Sequence, residues 1–222
     1  MEIHVERSGA GASLVFLHGL GASTRTWDAC RDQLANRYEV ILVDLPGHGQ
    51  SSGGDDPADY TRDRALEHLD TLFAEVGQPV VLVGHSLGGY LTLAYAATRP
   101  GVLSGAVVLN TGPGYRDPVK RDDWNARSRR NWHRFGVTES VAELNLQLDS
   151  VVMDQAADIS TPTLFLAGDA DRPEYTGAGQ YLQRKMPNCR LIVIPGGDHT
   201  MHESQAPAVA AEIDSFVTAL DD

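Results

Sequence analysis

The sequence predicts an α/β fold with a largely parallel sheet. Short β-branched apolar runs alternate along the chain with amphipathic segments, which is the order of repeated βαβ units. Several runs are continuously apolar, such as VVLV at 80–83 and LIVI at 191–194, as expected for strands buried on both faces. A length of 222 residues suits one domain, so we expect a single unit over residues 1–222.

The individual elements follow from local patterns. In the longest predicted helix, Leu66, Leu69, Leu72 and Val76 recur at steps of three or four residues, and Gly77 ends the helix. The predicted strands are Ile3–Glu6, Ser13–Leu17, Glu39–Val43, Pro79–Val83, Gly105–Leu109, Thr163–Ala167 and Arg190–Ile194. The predicted helices are Thr26–Asn36, Tyr60–Val76, Ser86–Thr98, Glu174–Met186 and Ser204–Leu220.

Residues 111–159 interrupt this alternation. The stretch begins with TGPG and then becomes strongly polar with scattered aromatic residues. We therefore expect an insertion between two core strands that forms a short cap, or lid, and not a separate domain. Its aromatic side chains are candidate walls of an apolar substrate pocket, namely Tyr115, Trp124, Trp132 and Phe135.

The composition disfavours several classes of partner. The 30 acidic and 18 basic residues give a net charge of −12, which disfavours binding to nucleic acid or to an anionic membrane. No apolar run approaches the roughly 20 residues of a membrane span, and MEIHVERSGAG lacks the order of a secretory signal. We therefore expect a cytoplasmic protein. Cys30 and Cys189 lack CxxC spacing and are expected to be reduced thiols.

The strongest local motif is Gly84-His85-Ser86-Leu87-Gly88, a G-x-S-x-G sequence between an apolar run and a predicted helix. In this context it predicts a sharp strand-to-helix turn, where flanking glycines leave room for the neighbouring chain. The turn would raise the Ser86 hydroxyl above the sheet at a helix N-terminus, where free N–H groups favour developing negative charge. Ser86 is therefore the candidate nucleophile.

A serine hydroxyl needs a base, and the base needs an orienting carboxylate. His199 is the preferred base because it follows a strand through a loop rich in Gly and Asp; His202, near the start of the last helix, is the alternative. Asp169 and Asp171 both follow the strand TLFLAG. Asp171 is preferred because it lies further into the loop and can reach His199. Asp169 is expected to cap the loop, and Asp198 to be a turn residue.

An acyl-transfer site also needs N–H donors for the oxyanion. The backbone N–H of Leu87 directly follows the candidate nucleophile, and that of Leu20 lies in the glycine-rich sequence HGLG. His18, His48 and His85 also lie in glycine-flanked loops, where a structural role is the main expectation. His18 is also a candidate pocket residue. No metal and no organic cofactor is implied.

The chain resembles the α/β-hydrolase superfamily, in its compact, lid-bearing esterase and lactonase-like branch. Five blocks carry the resemblance in the order of the family: VFLHGLGAS, VDLPGHGQSS, VLVGHSLGGY, PTLFLAGDADRP and VIPGGDHTMHESQ. It implies a mostly parallel sheet of seven or eight strands, flanked by helices under a short helical cap. In the family, the last residue of the G-x-x-D segment is usually the acid, which supports Asp171. The residue after His-Gly usually supplies an oxyanion N–H, which supports Leu20.

The resemblance implies a hydrolase of small-molecule carboxylic esters or lactones. We expect a monomer or a homodimer. Haloalkane dehalogenases and epoxide hydrolases of this fold use an aspartate nucleophile, so Ser86 disfavours both. The menaquinone-pathway synthase typically carries arginine after the Gly-Gly of the motif, where this chain has Tyr90. A lyase or C–C bond enzyme, a perhydrolase side activity and a ligand-binding receptor stay open.

The predicted cap is basic within an acidic chain. Residues 116–134 contain seven Lys and Arg residues and three Asp residues. This pattern favours attraction of a carboxylate-bearing ester or lactone, or an arginine clamp on it. A solvated helix face paired with acidic neighbours is the alternative. The basic residues are Arg116, Lys120, Arg121, Arg127, Arg129, Arg130 and Arg134.

Overall fold

A computed structural model describes residues 1–77 and 79–220 and contains a seven-stranded sheet. The strands, β1 to β7 in chain order, are Val5–Ser8, Ser13–Leu17, Glu39–Val43, Val80–His85, Leu103–Leu109, Thr163–Gly168 and Cys189–Ile194. Their order across the sheet is β1-β3-β2-β4-β5-β6-β7. β1 runs antiparallel to β3, and the other pairs are parallel. The predicted fold class is confirmed.

Nine α-helices lie in the described part of the chain. Helices α1 to α9 are Asp28–Leu34, Arg62–Val76, Leu87–Thr98, Pro118–Asn131, Glu139–Ala142, Val151–Gln155, Pro173–Lys185, Met201–Ser204 and Ala206–Thr218. Short 3₁₀ helices span Thr24–Trp27, Pro57–Asp59, Trp132–Phe135 and Glu143–Asn145. Within the described ranges, no helix has both the length and the apolar character needed to cross a bilayer.

The central strands β2 to β6 are buried on both faces, as continuous apolar runs such as VVLV predict. The prediction is wrong for LIVI at 191–194, because β7 is an edge strand whose residues are mostly half-buried, with Val193 38% exposed. Successive side chains of a strand point to opposite faces, so Val15 and Leu17 pack in one apolar cluster and Leu14 and Phe16 in another. Helices α2, α3 and α7 contribute to the first cluster, and α1 and α9 to the second. This two-sided packing leaves the carboxyl edge of the parallel strands as the place for a site.

Helix α2 illustrates how local chemistry sets the boundaries. Thr61 precedes it in extended conformation, and its side chain accepts a hydrogen bond from the backbone N–H of Arg64. Leu66 and Phe73 are buried on the apolar face of the helix. Gly77, at φ +76°, ends the helix in a conformation that an L side chain rarely adopts. The predicted end at Val76 is confirmed.

One predicted element is displaced and one is divided, whereas the bounds of the other predicted elements agree with the observed ones to within two residues. The first strand lies two residues later than predicted, because its antiparallel pairing with β3 places Val5 opposite Val43. The predicted helix Ser204–Leu220 is divided at Gln205, whose backbone is not helical. Pro207 lacks an N–H and is tolerated only in the first turn, so the helix has to restart next to it.

The connection between β5 and β6 contains helices α4 to α6 and two of the 3₁₀ helices. It is held together by polar contacts across the segment. The side chain of Asn125 donates to the backbone oxygen of Gln147 over 2.9 Å and accepts from its N–H over 2.8 Å. The indole N–H of Trp124 donates to the backbone oxygen of Asn145 over 3.1 Å. Val141 and other apolar side chains anchor the segment in the core.

Candidate active site

Ser86 occupies the turn between β4 and α3. Its backbone has φ +52° and ψ −110°, a conformation that is strained for a residue with a side chain. Such strain persists only where surrounding contacts impose it, and here the backbone N–H of Ser86 donates to the oxygen of Leu109 over 2.9 Å. The observed turn is the strand-to-helix geometry that the G-x-S-x-G motif predicted.

The two glycines of the motif are required by close backbone contacts. A Cβ on Gly84 would collide with the carbonyl oxygen of Gly88. A Cβ on Gly88 would lie 2.5 Å from the carbonyl oxygen of Leu17 in β2. The turn therefore packs directly against neighbouring backbone, which leaves little room to rearrange around Ser86.

Asp171 and His199 form a close pair at the carboxyl edge of the sheet. Nδ1 of His199 lies 2.6 Å from Oδ2 of Asp171, whose side chain is only 7% exposed. Because a carboxylate can only accept, Nδ1 carries the proton and Nε2 keeps its lone pair. The other carboxylate oxygen accepts the N–H of Arg172 over 2.7 Å. The Asp171 carboxylate therefore holds the His199 ring at Nδ1.

The Ser86 hydroxyl and the His199 ring line the same cavity. Among the described residues, no hydrogen bond joins the Ser86 hydroxyl to the His199 ring. Catalytic hydrogen bonds are often long before substrate binds and tighten in the complex. Two aromatic rings hold the imidazole from its sides: Tyr175 stacks at 5.3 Å between centroids, and His85 packs edge-on at 4.8 Å.

The alternative residues lie in other environments. Asp169 accepts the backbone N–H of Gly196 over 2.6 Å, so it caps the loop as predicted. Asp198 accepts the N–H of Thr200 over 3.0 Å and acts as a turn residue. His202 lies in α8, is almost completely buried, and has no hydrogen-bond partner on either ring nitrogen within residues 1–77 and 79–220.

The two residues whose N–H groups were predicted to bind the oxyanion lie at the cavity. Leu20 and Leu87 both line the cavity, and neither backbone N–H donates a hydrogen bond within the described part of the chain. Leu87 is the first residue of α3, where the N–H groups are free of helical partners. The loop of Leu20 lies close to Ser86, since a Cβ on Gly19 would be 3.4 Å from Cβ of Ser86.

His18 is a structural residue and not a pocket residue, which corrects one sequence prediction. It is fully buried and does not line the cavity. Its Nδ1–H donates to the oxygen of Gly19 over 2.7 Å, and Nε2 accepts the N–H of Leu45 over 3.0 Å. Burial lowers its pKa to about 4, so the ring is neutral and both bonds are kept at neutral pH. His18 therefore joins two loops beneath the site.

The cavity has a volume of about 640 Å³ and lies between the sheet edge and the β5–β6 connection. Tyr115, Trp124 and Phe135 line it, as the sequence predicted for aromatic residues of the insertion. Trp132 does not, because it starts a 3₁₀ turn in which its ring packs on His133. That prediction is corrected.

Sequence reasoning missed Tyr175, which both lines the cavity and stacks on the His199 ring. It lies in the first turn of α7, four residues after Asp171. The only available signal was this proximity to the predicted acid, together with Pro173, which favours a helix start at that point. Neither feature predicts whether the Tyr175 ring lies over the site or points into solvent.

Buried histidines beneath the site are expected to make the stability of the protein sensitive to acid. Burial lowers the pKa of His202 to about 3, whereas a histidine in the unfolded chain titrates near 6.5. As the pH falls below 6.5 the unfolded chain binds the proton first, so stability present near pH 7 is lost toward pH 3. From about pH 7 to about pH 5 this one residue should cost about 2 kcal/mol of unfolding free energy.

The variant His202→Phe is expected to lose correspondingly less stability between the same two pH values. Urea denaturation of both proteins at both pH values measures the difference. His133→Phe, at an exposed position, is the matched control and should follow the wild type. An equal pH dependence in wild type and His202→Phe would contradict the assignment of this acid sensitivity to His202.

Comparison with known proteins agrees with this architecture. The model of the alpha/beta hydrolase family matches residues 14–212. The chain is 27% identical over 258 aligned residues to a pimeloyl-[acyl-carrier protein] methyl ester esterase of Xanthomonas campestris pv. campestris (strain B100), covering 98% of this chain and 100% of that protein.

Two solved structures share the fold. MenH from S. aureus has a TM-score of 0.84 at 21% identity and covers 99% of both chains. A thermophilic esterase from Thermogutta terrifontis has a TM-score of 0.84 at 22% identity, covering 98% of this chain and 93% of that one. Since the family match extends over the serine turn and over both loops that carry Asp171 and His199, the chain belongs to the alpha/beta hydrolase family.

Proposed function

We propose that this protein is a carboxylic-ester or lactone hydrolase that forms an acyl-enzyme on Ser86. The observation that carries the proposal is the Asp171–His199 pair, 2.6 Å apart, beside the cavity that also contains the strained Ser86 turn. The esterase name of the Xanthomonas relative, which aligns over nearly the whole chain, supports the same reaction class.

The chemistry follows from the roles that these groups can take. Ser86 Oγ attacks the ester carbonyl carbon while Nε2 of His199 takes the hydroxyl proton. The negatively charged tetrahedral oxygen is bound by the N–H groups of Leu20 and Leu87. His199 then gives the proton to the leaving alkoxide, and the acyl group stays on Ser86.

Deacylation repeats the steps with water. Nε2 of His199 takes a proton from water, whose oxygen attacks the acyl carbonyl, and the proton returns to Ser86 Oγ as the acid leaves. Asp171 keeps the proton on Nδ1 and stabilises the imidazolium in both half-reactions. No step needs a metal or an organic cofactor.

The cavity favours a small-molecule substrate with an apolar part. Its volume of about 640 Å³ falls in the usual range for small-ligand sites, and Tyr115, Trp124 and Phe135 supply aromatic walls. A panel of short p-nitrophenyl esters and lactones tests the proposal, with turnover expected for at least one member. Binding without turnover would indicate a receptor, and reaction only with ketones or cyanohydrins would indicate a lyase.

The basic residues of the β5–β6 connection support attraction of an anionic substrate and not a direct clamp. None of the seven lines the cavity. Arg116 pairs with Asp154 and Arg129 with Glu143, whereas the other five form no ion pair among the described residues. Unpaired surface cations attract anions and so raise the concentration of an anionic substrate near the protein. Salt screens this electrostatic attraction.

Reversing two of these charges is expected to affect anionic esters alone. In the double variant Arg127→Glu/Arg130→Glu, kcat/KM for a carboxylate-bearing ester should fall several-fold at low salt, and less at high salt. A neutral ester of similar size should be unaffected. Arg184→Glu/Lys185→Glu, the same charge change at the far end of α7, is the control. Unchanged kinetics with both ester types would refute the hypothesis that these basic residues attract an anionic substrate.

A further inference from the structure

The two residues that follow β5, Asn110 and Thr111, contact all three loops of the candidate site. Asn110 is fully buried and has φ +44°, so with Ser86 it is one of two non-glycine residues at positive φ among those described. Asparagine tolerates this conformation better than most residues because its short polar side chain can bond locally. The backbone turn directs the amide toward neighbouring loops and away from the β5 ladder.

The side-chain amide of Asn110 joins the loop that carries Asp171 to the loop that carries His199. Its Nδ2 donates to the backbone oxygens of Asp198, over 2.8 Å, and of His199, over 3.2 Å. Its Oδ1 accepts the backbone N–H of Gly168, over 2.9 Å, at the point where β6 ends and the Asp171 loop begins. Both the amide nitrogen and the carbonyl oxygen of this fully buried side chain are therefore hydrogen-bonded.

Thr111 holds the third loop. Its buried hydroxyl donates to the backbone oxygen of Ser86 over 2.7 Å, while Leu109 accepts the backbone N–H of Ser86 over 2.9 Å. The residues at the end of β5 thus form hydrogen bonds with both the backbone N–H and the backbone oxygen of Ser86. Because the serine backbone is strained, these two bonds oppose its relaxation to an ordinary turn.

We propose that Asn110 and Thr111 are positioning residues, of which Asn110 sets the Asp171 and His199 loops relative to each other and Thr111 sets Ser86. This inference rests on the proposed function, because it assigns a purpose to the distances among those three side chains. Neither residue transfers a proton or forms a bond to substrate in this role. A displacement of a catalytic group by about 1 Å can lower the reaction rate about 100-fold. A change in the relative positions of these loops should therefore lower kcat.

Asn110→Asp tests the first part. Aspartate keeps the size, the tolerance of positive φ and the acceptor for Gly168, but an ionised carboxylate cannot donate to the two loop carbonyls. With p-nitrophenyl acetate, kcat should fall about 10- to 100-fold while KM changes less than about threefold. A protonated carboxyl can donate again, so the ratio of variant to wild-type kcat should rise from about pH 8 to about pH 5. A purely structural role would not produce this rise.

Thr111→Val tests the second part and separates the two roles. Valine keeps the shape and removes the hydroxyl, so kcat should fall about tenfold. The proton shared by His199 and Asp171 gives a strongly downfield NMR signal when its hydrogen bond is short. That signal should persist in Thr111→Val and should be shifted or lost in Asn110→Asp.

Matched controls carry the same substitutions at the opposite end of the sheet. Asn188 donates its amide to the backbone oxygen of Ser160, and Thr163 donates its hydroxyl to that of Thr161. Asn188→Asp and Thr163→Val should keep wild-type kcat and an unchanged downfield signal. If Asn110→Asp does not fold, Asn110→Gly, which is unstrained at positive φ, replaces it with the same expected loss.

The proposal is overturned if Asn110→Asp and Thr111→Val keep wild-type kcat within about twofold and the signal is unchanged. It is also overturned if the ratio of Asn110→Asp to wild-type kcat does not depend on pH. Absence of ester turnover in the wild type would instead refute the proposed function. The NMR signal of Asn110→Asp would still decide the positioning role, because it needs no substrate.

Discussion

Replacement of Ser86 by alanine is expected to lower kcat for ester hydrolysis by about 10⁴- to 10⁶-fold. The variant loses the only proposed nucleophile, and water would have to attack the ester directly. The N–H groups of Leu20 and Leu87 and the cavity would remain, so substrate should still bind with a similar KM. Steady-state kinetics on the best ester of the panel measures the effect.

Covalent labelling gives an independent check of the same prediction. A fluorophosphonate probe should add to the wild-type protein at Ser86 and should not label Ser86→Ala. Ser104→Ala, at the amino-terminal end of β5 and away from the cavity, should behave like the wild type in both assays. Retention of more than about a tenth of wild-type kcat by Ser86→Ala would refute the acyl-enzyme mechanism.

Asp171→Asn has the next largest expected effect, a loss of about 10³- to 10⁴-fold in kcat. The neutral amide can donate to Nδ1 of His199, which would place the ring proton on Nε2 and remove the proposed base. The amide also provides no charge to stabilise the imidazolium. Thermal unfolding of the variant should confirm that the fold is kept while kcat is lost.

Asp169→Asn is the matched control, because both carboxylates follow β6 in the sequence GDAD. Asp169 accepts the N–H of Gly196 and does not contact His199, so its variant should keep kcat within about threefold. The reverse result, with activity lost in Asp169→Asn and kept in Asp171→Asn, would reassign the acid.

Much of the fold was predictable because its signals are local. Strands β2 and β3 have the bounds that the apolar runs predicted, and the turn at Ser86 forms where the motif placed it. The paired position of Asp171 and His199 agrees with the prediction from loop length and chain order. Their catalytic roles stay predictions until the variants are measured.

The errors came from long-range pairing, from a local proline signal that the apolar periodicity concealed, and from side-chain directions. The bounds of β1 depend on its register against β3, and Pro207 broke a helix that the periodicity of apolar residues had joined. Trp132 was placed in the pocket as an aromatic residue of the insertion, and His18 as a histidine in a glycine-flanked loop. Residue type does not say which way a ring turns, and both rings turn elsewhere.

The sequence by itself determined the α/β class, the order of the elements and the serine turn, since each depends on residues within a few positions of one another. Only the tertiary structure decided which polar groups meet at the sheet edge. Asn110 contacts His199 across 89 positions and Gly168 across 58, and no periodicity or motif encodes such distances. The parallel strands β2 to β7 bring the loops that follow them together, because all six strands finish at one edge of the sheet.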